Sequence, residues 1–262
     1  MSAAPPPGAG TATGAGTGAG TGTGAGTGRD ILVLDDVTRR FGGLTAVDGV
    51  SFGVRAGAIT GLIGPNGSGK TTLFGLISGI ERPDSGTIRF KDRAVTGLPP
   101  HAITRLGMGR TFQISRLFGQ LTVLENLLVG ARGLPLPAAT DRARGLLAFA
   151  GLERLAGEYA DNLSYGQQKL LEFVRVLVPD PDLILLDEPF AGVNPAMEER
   201  LIDRLRDLQS RGKSFLITDH EMRLILALCE RLLVLDHGVL IADGPPADVR
   251  EEPRVVEAYF GR

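Results

Sequence analysis

The sequence predicts an α/β fold with a parallel-sheet core, an antiparallel β layer at its edge and a helical segment inserted into the core. Continuously apolar strand patterns, such as "DLILLDEP" at residues 182–189, alternate with helical patterns, which is typical of a parallel sheet covered on both faces. Strand patterns near the start are separated by short turns, which indicates antiparallel neighbours. From about residue 114 to residue 178 the pattern is helical, so we expect an inserted helical subdomain there.

Each element follows from its own pattern along the chain. Apolar segments rich in β-branched residues indicate strands, and apolar residues at three- and four-residue spacing indicate helices. Strands are expected at residues 31–41, 50–64 with a turn at 55–57, 87–92, 182–189, 213–219, 232–236 and 239–244. Helices are expected at residues 69–79, 122–131, 139–151, 165–178, 195–212 and 221–232.

Residues 1–29 are expected to form a disordered tail, and residues 30–262 the ordered domain. The first 28 residues are almost wholly glycine, alanine, threonine, serine and proline. Such a composition cannot bury enough apolar area to offset the entropy that is lost on ordering. We therefore place the chemistry of the protein in the ordered domain.

Composition and charge exclude several classes of protein. The net charge is −2, so no general basic field favours nucleic acid as a partner. The single cysteine, Cys229, excludes an internal disulfide and fits a buried position in a reducing compartment. No apolar run reaches the roughly 18 residues of a membrane helix, and no secretory signal is visible. We expect a soluble, cytoplasmic protein that meets a membrane only through partners.

Residues 64–71, "GPNGSGKT", have the spacing of a phosphate-binding loop, with an apolar strand before them and a helix after them. The glycines let the backbone wrap around phosphate groups and aim N–H groups at them, and the helix N-terminus adds its positive end. Lys70 can reach the β- and γ-phosphates, and the Thr71 hydroxyl suits Mg²⁺. The predicted binding set comprises Gly64, Pro65, Asn66, Gly67, Ser68, Gly69, Lys70, Thr71 and Thr72.

The apolar strand at residues 182–189 ends in two carboxylates, Asp187 and Glu188. Strand ends of such sheets face the ligand crevice. Asp187 is therefore a candidate Mg²⁺ ligand, and Glu188 is a candidate general base for an attacking water. The alternative is that the two acids are merely solvated. His220 follows the next strand, where it either bonds the terminal phosphate as a catalytic residue or has a structural role.

Gln113 and Phe41 are two further candidate site residues. Gln113, in "GRTFQIS", lies where the core passes into the helical insertion, and its amide can bridge Mg²⁺ or water as a metal ligand and catalytic residue. Phe41 follows the first strand, where it either stacks on a nucleotide base or packs in the core. His101 and His237 lie in polar turns, and we assign them no function.

The segment "NLSYGQQKLLEF" at residues 162–173 resembles the start of a second phosphate-binding helix. Ser164 is a candidate N-cap, with Gln167 three residues later. Since a stronger phosphate-binding loop is already present, this segment is either a simple helix cap or a second contact to phosphate.

The motifs taken together resemble those of ATP-binding cassette ATPases. "GPNGSGKT", the glutamine of "RTFQ", "LSYGQQ", "LILLDEP", "AGVNP" and "DHEM" occur in the order found in that family, across residues 30–262. The resemblance implies a P-loop NTPase fold of the RecA-like type that binds ATP and Mg²⁺. It also implies two subunits arranged head to tail, in which Ser164, Gly166 and Gln167 of one subunit contact the nucleotide on the other.

A narrower resemblance is to the ATPase subunits of branched-chain amino-acid importers. It rests on residues 104–131, on "AGVNP", on Tyr165 in the "LSYGQQ" signature and on the ending "VVEAYFG". Tyr165 and Asn194 stand where most of the superfamily has Gly and Asp, and we take both as features of this group. The resemblance implies ATP hydrolysis that powers uptake at the cytoplasmic face of the cell membrane, with two permease subunits and an extracytoplasmic solute-binding protein.

Other functions stay open at this point. Importers of urea or amides and exporters of lipopolysaccharide use very similar ATPases, because the choice of solute resides in other subunits. An ATP-binding cassette ATPase outside transport, or a nucleotide binder without turnover, is a further alternative. Leu117, Phe118 and Leu121 either contact the membrane subunits or pack within the helical subdomain.

Overall fold

The computed structural model describes residues 29–111, 117–131 and 133–260. The described strands are β1 (Asp30–Phe41), β2 (Leu44–Arg55), β3 (Ile59–Ile63), β4 (Ser85–Phe90), β5 (Arg93–Ala94), β6 (Met108–Arg110), β7 (Leu183–Asp187), β8 (Ser214–Thr218), β9 (Arg231–Asp236) and β10 (Val239–Gly244). The described helices are α1 (Lys70–Ile77), α2 (Pro100–Arg105), α3 (Val123–Leu128), α4 (Leu136–Ala150), α5 (Tyr165–Leu177), α6 (Pro195–Ser210), α7 (Met222–Leu228), α8 (Pro246–Val249) and α9 (Pro253–Phe260). None of these helices is long and apolar enough to cross a membrane. Gln113 and the first 28 residues of the expected tail lie outside the described residues.

A six-stranded sheet in the order β10-β9-β3-β8-β7-β6 lies at the centre of the fold. The pairs from β9 to β6 are parallel, and β10 runs antiparallel to β9. Every residue of β3, β7 and β8 is buried, which explains why these strands are mostly apolar and do not alternate between apolar and polar residues. The predicted parallel core is confirmed. Because these three strands are parallel neighbours, their carboxyl ends meet at one edge of the sheet, where ligands of such folds bind.

A second sheet of four strands, in the order β2-β1-β4-β5, is antiparallel throughout. It confirms the predicted edge layer, which gains β4 and β5 from the segment after the phosphate-binding loop. The fully buried Leu73 and Phe74 of α1 belong to an apolar cluster that contains residues of both sheets. The helix that begins at the loop is therefore fixed between the edge layer and the parallel core.

The segment between β6 and β7 contains α3, α4 and α5, as the helical pattern predicted. A capping box begins α3: Glu125 N donates to Thr122 Oγ1 at 3.2 Å, and Thr122 N donates to Glu125 Oε2 at 2.8 Å. The side chain of Asn126 is fully buried. Its Oδ1 accepts from Phe118 N at 2.9 Å, and its Nδ2 donates to Phe118 O at 3.0 Å. These bonds fix the loop before α3, since a buried amide must find partners.

The predicted helix at residues 221–232 is wrong at its end. Helix α7 stops at Leu228, and residues 231–236 form β9, which pairs in parallel with β3. The strand predicted at residues 232–236 is thus confirmed, with residues 232–235 buried in that pairing, and only the end of the predicted helix is wrong. Strands β5 and β6 and helices α2, α8 and α9 were not predicted, because short elements leave no periodic pattern.

Candidate functional site

A cavity of about 610 Å³ opens at the edge of the central sheet where β3, β7 and β8 end. It contains most of the predicted site residues, including residues 66–72 of the loop, Phe41, Glu188 and His220, whereas Gly64 and Pro65 do not line it. The lining residues are Phe41, Leu44, Thr45, Ala46, Asn66, Gly67, Ser68, Gly69, Lys70, Thr71, Thr72, Glu188, His220 and His237. Its walls come from both sheets, from the N-terminus of α1 and from the ends of two parallel strands.

The loop after β3 has a backbone that requires glycine. Gly64, Gly67 and Gly69 have φ values of +152°, +79° and +104°, which side chains rarely tolerate. A Cβ on Gly64 would lie 2.0 Å from Leu235 O, and a Cβ on Gly69 would lie 2.3 Å from Ala46 O. Glycine at these two positions therefore lets the loop pack directly on β2 and β9.

Two observations show that the loop fits a ligand with phosphate groups. The Oγ of Ser68 is buried and has no hydrogen-bond partner among the described residues, a costly condition that a ligand can relieve. The N-terminus of α1 has no side-chain cap, and its first residues, Lys70, Thr71 and Thr72, line the cavity. The N–H groups of a first helical turn have no partner within the helix and suit an anion.

Lys70 folds back onto the loop. Its Nζ donates to the backbone oxygens of Gly64 at 2.7 Å and Pro65 at 2.9 Å. Burial lowers the pKa of Lys70, while the nearby carboxylates of Glu188 and Asp187 act in the opposite direction. The ammonium group is thus held at the base of the cavity, close to both predicted acids.

Asp187 lies behind the wall of the cavity rather than in it. Its side chain is 5% exposed, and Arg110 NH2 lies 3.2 Å from its Oδ2. Arg110 also donates to Ser78 Oγ at 2.8 Å, and Asp187 N bonds the hydroxyl of Thr111 at 3.0 Å. Burial raises the pKa of Asp187, and Arg110 opposes that shift. The alternative that this acid is merely solvated is wrong.

Glu188 and His220 come together at the ends of neighbouring strands. His220 Nε2 lies 2.7 Å from Glu188 Oε1, and both residues line the cavity. Glu188 has a φ of +50°, a left-handed conformation that is unfavourable for a side chain. Its backbone N–H donates to Thr218 O at 2.8 Å. This bond to β8 holds the turn that sets the direction of the carboxylate.

Asp219 was not singled out by the sequence analysis, although it is an acid directly after a buried strand. Its carboxylate accepts from Phe190 N at 2.8 Å and from Glu221 N at 3.0 Å. Burial raises its pKa, and these backbone bonds oppose the shift. Asp219 thereby joins the loop after β7 to the loop after β8, which carry Glu188 and His220.

Phe41 is the last residue of β1 rather than a residue after the strand; it is 43% exposed and lines the cavity. The alternative that it packs in the core is therefore wrong. His237, to which we assigned no function, also lines the cavity, and its Nδ1 lies 2.7 Å from Asp236 Oδ1. The turn at His237 is bonded to the loop, because Gly238 N donates to Ser68 O at 2.9 Å. In the sequence, "DHG" at residues 236–238 separates two predicted strands, and this turn pattern could have pointed to His237.

Ser164 caps helix α5, as predicted. Gln167 N donates to Ser164 Oγ at 3.4 Å, and Ser164 N donates to Gln167 Oε1 at 2.9 Å. The hydroxyl of Tyr165 donates to Ala191 O at 3.3 Å. Ser164, Gly166 and Gln167 do not line the cavity that the same chain forms. Within the described chain, the N-terminus of α5 is thus separate from the cavity at the phosphate-binding loop.

A phosphate-binding loop after one parallel strand and a carboxylate–imidazole pair after two others define a P-loop NTPase. Residues 47–191 match the ABC transporter family, and residues 239–262 match the family described as branched-chain amino acid ATP-binding cassette transporter. The chain is 39% identical over 245 residues to a probable branched-chain amino acid transport ATP-binding protein LivG of Archaeoglobus fulgidus, covering 88% of this chain and 95% of the relative.

It is also 38% identical over 251 residues to the high-affinity branched-chain amino acid transport ATP-binding protein BraF of Pseudomonas aeruginosa, covering 89% and 98% of the two chains. The crystal structure of a nucleotide-free ATP-binding cassette from an ABC transporter superposes with a TM-score of 0.82 at 34% identity, covering 89% of this chain and 100% of that one. The chain therefore belongs to the ABC transporter family, in its group of branched-chain amino acid transport ATP-binding proteins.

Proposed function

We propose that this chain is the ATP-hydrolysing subunit of an importer for branched-chain amino acids or similar small solutes. The observation that carries the proposal is the Glu188–His220 pair, 2.7 Å apart, which faces the phosphate-binding loop across one cavity. The relatives named above are transport ATP-binding proteins, and they supply the class of solute.

One part of the cavity would hold the adenine base of the nucleotide, and another part would hold its phosphate groups. Phe41 offers an exposed aromatic face for adenine, and the loop with Lys70 surrounds the triphosphate. Thr71, which lines the cavity, and Gln113 would hold Mg²⁺, and Asp187, which lies behind the wall, would bind one of the waters that such ions keep. Mg²⁺ in such sites neutralises charge on the β- and γ-phosphates. Oxygen ligands of this kind, in small number, are typical of Mg²⁺ sites that also use substrate oxygens.

Glu188 serves as the general base. Its carboxylate takes a proton from the attacking water while the water oxygen bonds to the γ-phosphorus. The bond from that phosphorus to the bridging oxygen breaks, which gives ADP and phosphate. His220 holds the carboxylate in position from the next strand, and Lys70 compensates the negative charge of the phosphates.

The signature segment serves a second copy or a related subunit. Because Ser164, Gly166 and Gln167 lie outside their own chain's cavity, they complete a site only on a neighbouring subunit. A head-to-tail pair would place the N-terminus of α5 against the γ-phosphate on the partner, where its positive end favours the anion. Each of the two sites then combines residues of both subunits.

The membrane subunits dock beside the helical segment. A groove of about 340 Å³ there is lined by Arg110, Thr111, Phe118, Val129, Gly130, Glu172, Arg175 and Val176. Phe118 and Val129 are 49% and 45% exposed, which suits an apolar contact with two permease subunits. Leu117 instead packs against the core, in line with the alternative stated for it. The protein would thus lie on the cytoplasmic face of the membrane and act indirectly with a solute-binding protein.

The proposal is tested by uptake in cells that lack this gene. We expect the deletion to abolish high-affinity uptake of radiolabelled leucine, isoleucine and valine, and we expect wild type but not Glu188→Gln to restore it. Urea uptake in the same cells is the control. Normal leucine uptake in the deletion strain, with urea uptake lost, would assign the chain to an amide importer instead.

A further inference from the structure

Arg39 covers one face of the Phe41 ring. The two residues are two positions apart on β1 and therefore lie on the same side of the strand. The guanidinium carbon lies 4.5 Å from the ring centroid, which is within the range of a cation–π contact. The Arg39 side chain is only 23% exposed, whereas Phe41 lines the cavity. One ring face is thus occupied by the cation, and the ring still borders the cavity.

Two carboxylates hold Arg39 in this position. Its NH2 donates to Glu81 Oε2 at 3.0 Å, and its NH1 donates to Asp84 Oδ1 at 3.3 Å. The other oxygen of Asp84 accepts from Arg40 N at 2.6 Å. One bond to each of two separate carboxylates fixes the orientation of the planar guanidinium as well as its position. The cation is therefore not free to leave the ring.

The carboxylates connect Arg39 to the helix that begins at the loop. Glu81 N donates to Gly75 O at 3.1 Å, so Glu81 is tied to helix α1, which starts at Lys70. Arg39 thus bridges the strand that carries Phe41 and the helix that carries the phosphate-binding residues. The bridge sets the distance between the two parts of the cavity.

Phe41 needs such support because it is 43% exposed and the two glycines after it have no side chains that could hold the ring. Gly42, with a φ of +57°, and Gly43 follow it in the turn, and a Cβ on either would meet nothing within 4 Å. An exposed aromatic side chain beside an open glycine turn samples several rotamers. Stacking on a ligand would then cost the entropy of fixing the ring, unless the ring is already held.

We propose that Arg39 is a positioning residue for the nucleotide base. It holds Phe41 in the orientation that stacks on the base, and through Glu81 it holds that platform at a set distance from the phosphate-binding loop. This inference rests on the proposed function, since the base is that of the bound ATP.

The test compares a ligand that has a base with one that lacks it. Calorimetric titration measures binding of AMP-PNP, a non-hydrolysable ATP analogue, and of inorganic tripolyphosphate, both with Mg²⁺. We expect Arg39→Met to weaken AMP-PNP binding about 3- to 10-fold and to leave tripolyphosphate binding unchanged. In a Phe41→Leu background, Arg39→Met should cause no further loss, because the two residues act as a unit.

Two further variants keep the test decisive. Arg89→Met, at an exposed arginine of the neighbouring strand β4, is the matched control and should leave both affinities unchanged. The double change Glu81→Gln and Asp84→Asn releases Arg39 without removing it, and should reproduce the selective loss. Melting temperatures of all variants show whether each one folds.

Three results would overturn the inference alone. These are an unchanged AMP-PNP affinity in Arg39→Met, equal losses for both ligands, or the same loss with and without Phe41. Equal losses would mean that Arg39 only stabilises the sheet. A wild-type chain that binds neither ligand would overturn the proposed function and the inference together.

Discussion

At Glu188 the chain combines a left-handed backbone with a short contact to His220. The conformation costs about 1–2 kcal/mol, and the bond from Glu188 N to Thr218 O holds it in place. A strained residue that closes a buried strand and lines a cavity is typical of a functional position. The cost is consistent with a carboxylate that must face the loop rather than solvent.

Replacing Glu188 by glutamine should preserve ATP binding and lower ATP hydrolysis by about 10²- to 10⁴-fold, the contribution of a general base. With the base removed, the closed dimer should persist in ATP. Phosphate release and size-exclusion chromatography with and without ATP measure the two effects. Glu199→Gln, at an exposed position on α6, is the control. Near-normal hydrolysis by Glu188→Gln would place the base elsewhere.

The site residues that could be predicted from the sequence belong to motifs that are recognised by the spacing of residues within one short segment. The loop glycines, Lys70 and the acid at the end of β7 belong to this class. Arg39, Asp219 and His237 were missed, because each takes its position from a contact across the fold. Arg39 bonds Glu81 and Asp84, which lie more than 40 residues further along the chain. No local sequence pattern predicts a contact between residues so far apart in the chain.

At the scale of elements, Arg142 joins three parts of the chain. Its guanidinium donates to the backbone oxygens of Leu177 and Val178 at the end of α5. It also lies 3.3 Å from Asp180 Oδ1, which Lys213 contacts at 2.9 Å. The side chain thus satisfies carbonyl groups that a helix end leaves without partners. It fixes α4 to the end of α5 and, through Asp180 and Lys213, to the segment before β8.

Arg142→Met should lower the free energy of unfolding by about 1–2 kcal/mol, the value of the lost charged hydrogen bonds. Urea denaturation measures the change, and Arg144→Met, at an exposed position of the same helix, should have no effect. Lys213 and Arg142 lower the pKa of Asp180. The contribution of ionised Asp180 to the free energy of unfolding is therefore present above about pH 4 and is lost as the pH falls through the lowered pKa. An equal stability of Arg142→Met and wild type at pH 7 would refute this role.

The strands with a clear apolar pattern could be predicted, and the shortest strands could not. Strands β3, β7 and β8 are buried on both faces, so they appear in the sequence as mostly apolar segments without alternation. The three-residue strand β6 exists because Met108–Arg110 pairs with β7, a condition that its own sequence does not contain. Strand β9 was predicted at residues 232–236, but the helix predicted before it extended to residue 232, beyond the observed end of α7 at Leu228.

At the scale of the whole molecule, the chain contains two predicted phosphate-binding segments that do not meet. The loop and Lys70 line the cavity, whereas the N-terminus of α5 at Ser164 lies outside it. The sequence predicted both segments, and a family resemblance rather than any local pattern predicted that they act on different subunits. The central claim of the proposed mechanism is that two chains share each ATP site.

Mixing two inactive variants tests this claim most directly. Lys70→Ala removes the charge that compensates the phosphates, and Ser164→Arg fills the space of the γ-phosphate, so each should be inactive alone. A heterodimer of the two has one doubly damaged site and one intact site, and phosphate release should return in proportion to its fraction. Mixing Lys70→Ala with a chain that carries both changes is the control and should give no activity. Crosslinked heterodimers of Lys70→Ala and Ser164→Arg that release no phosphate would contradict the shared site.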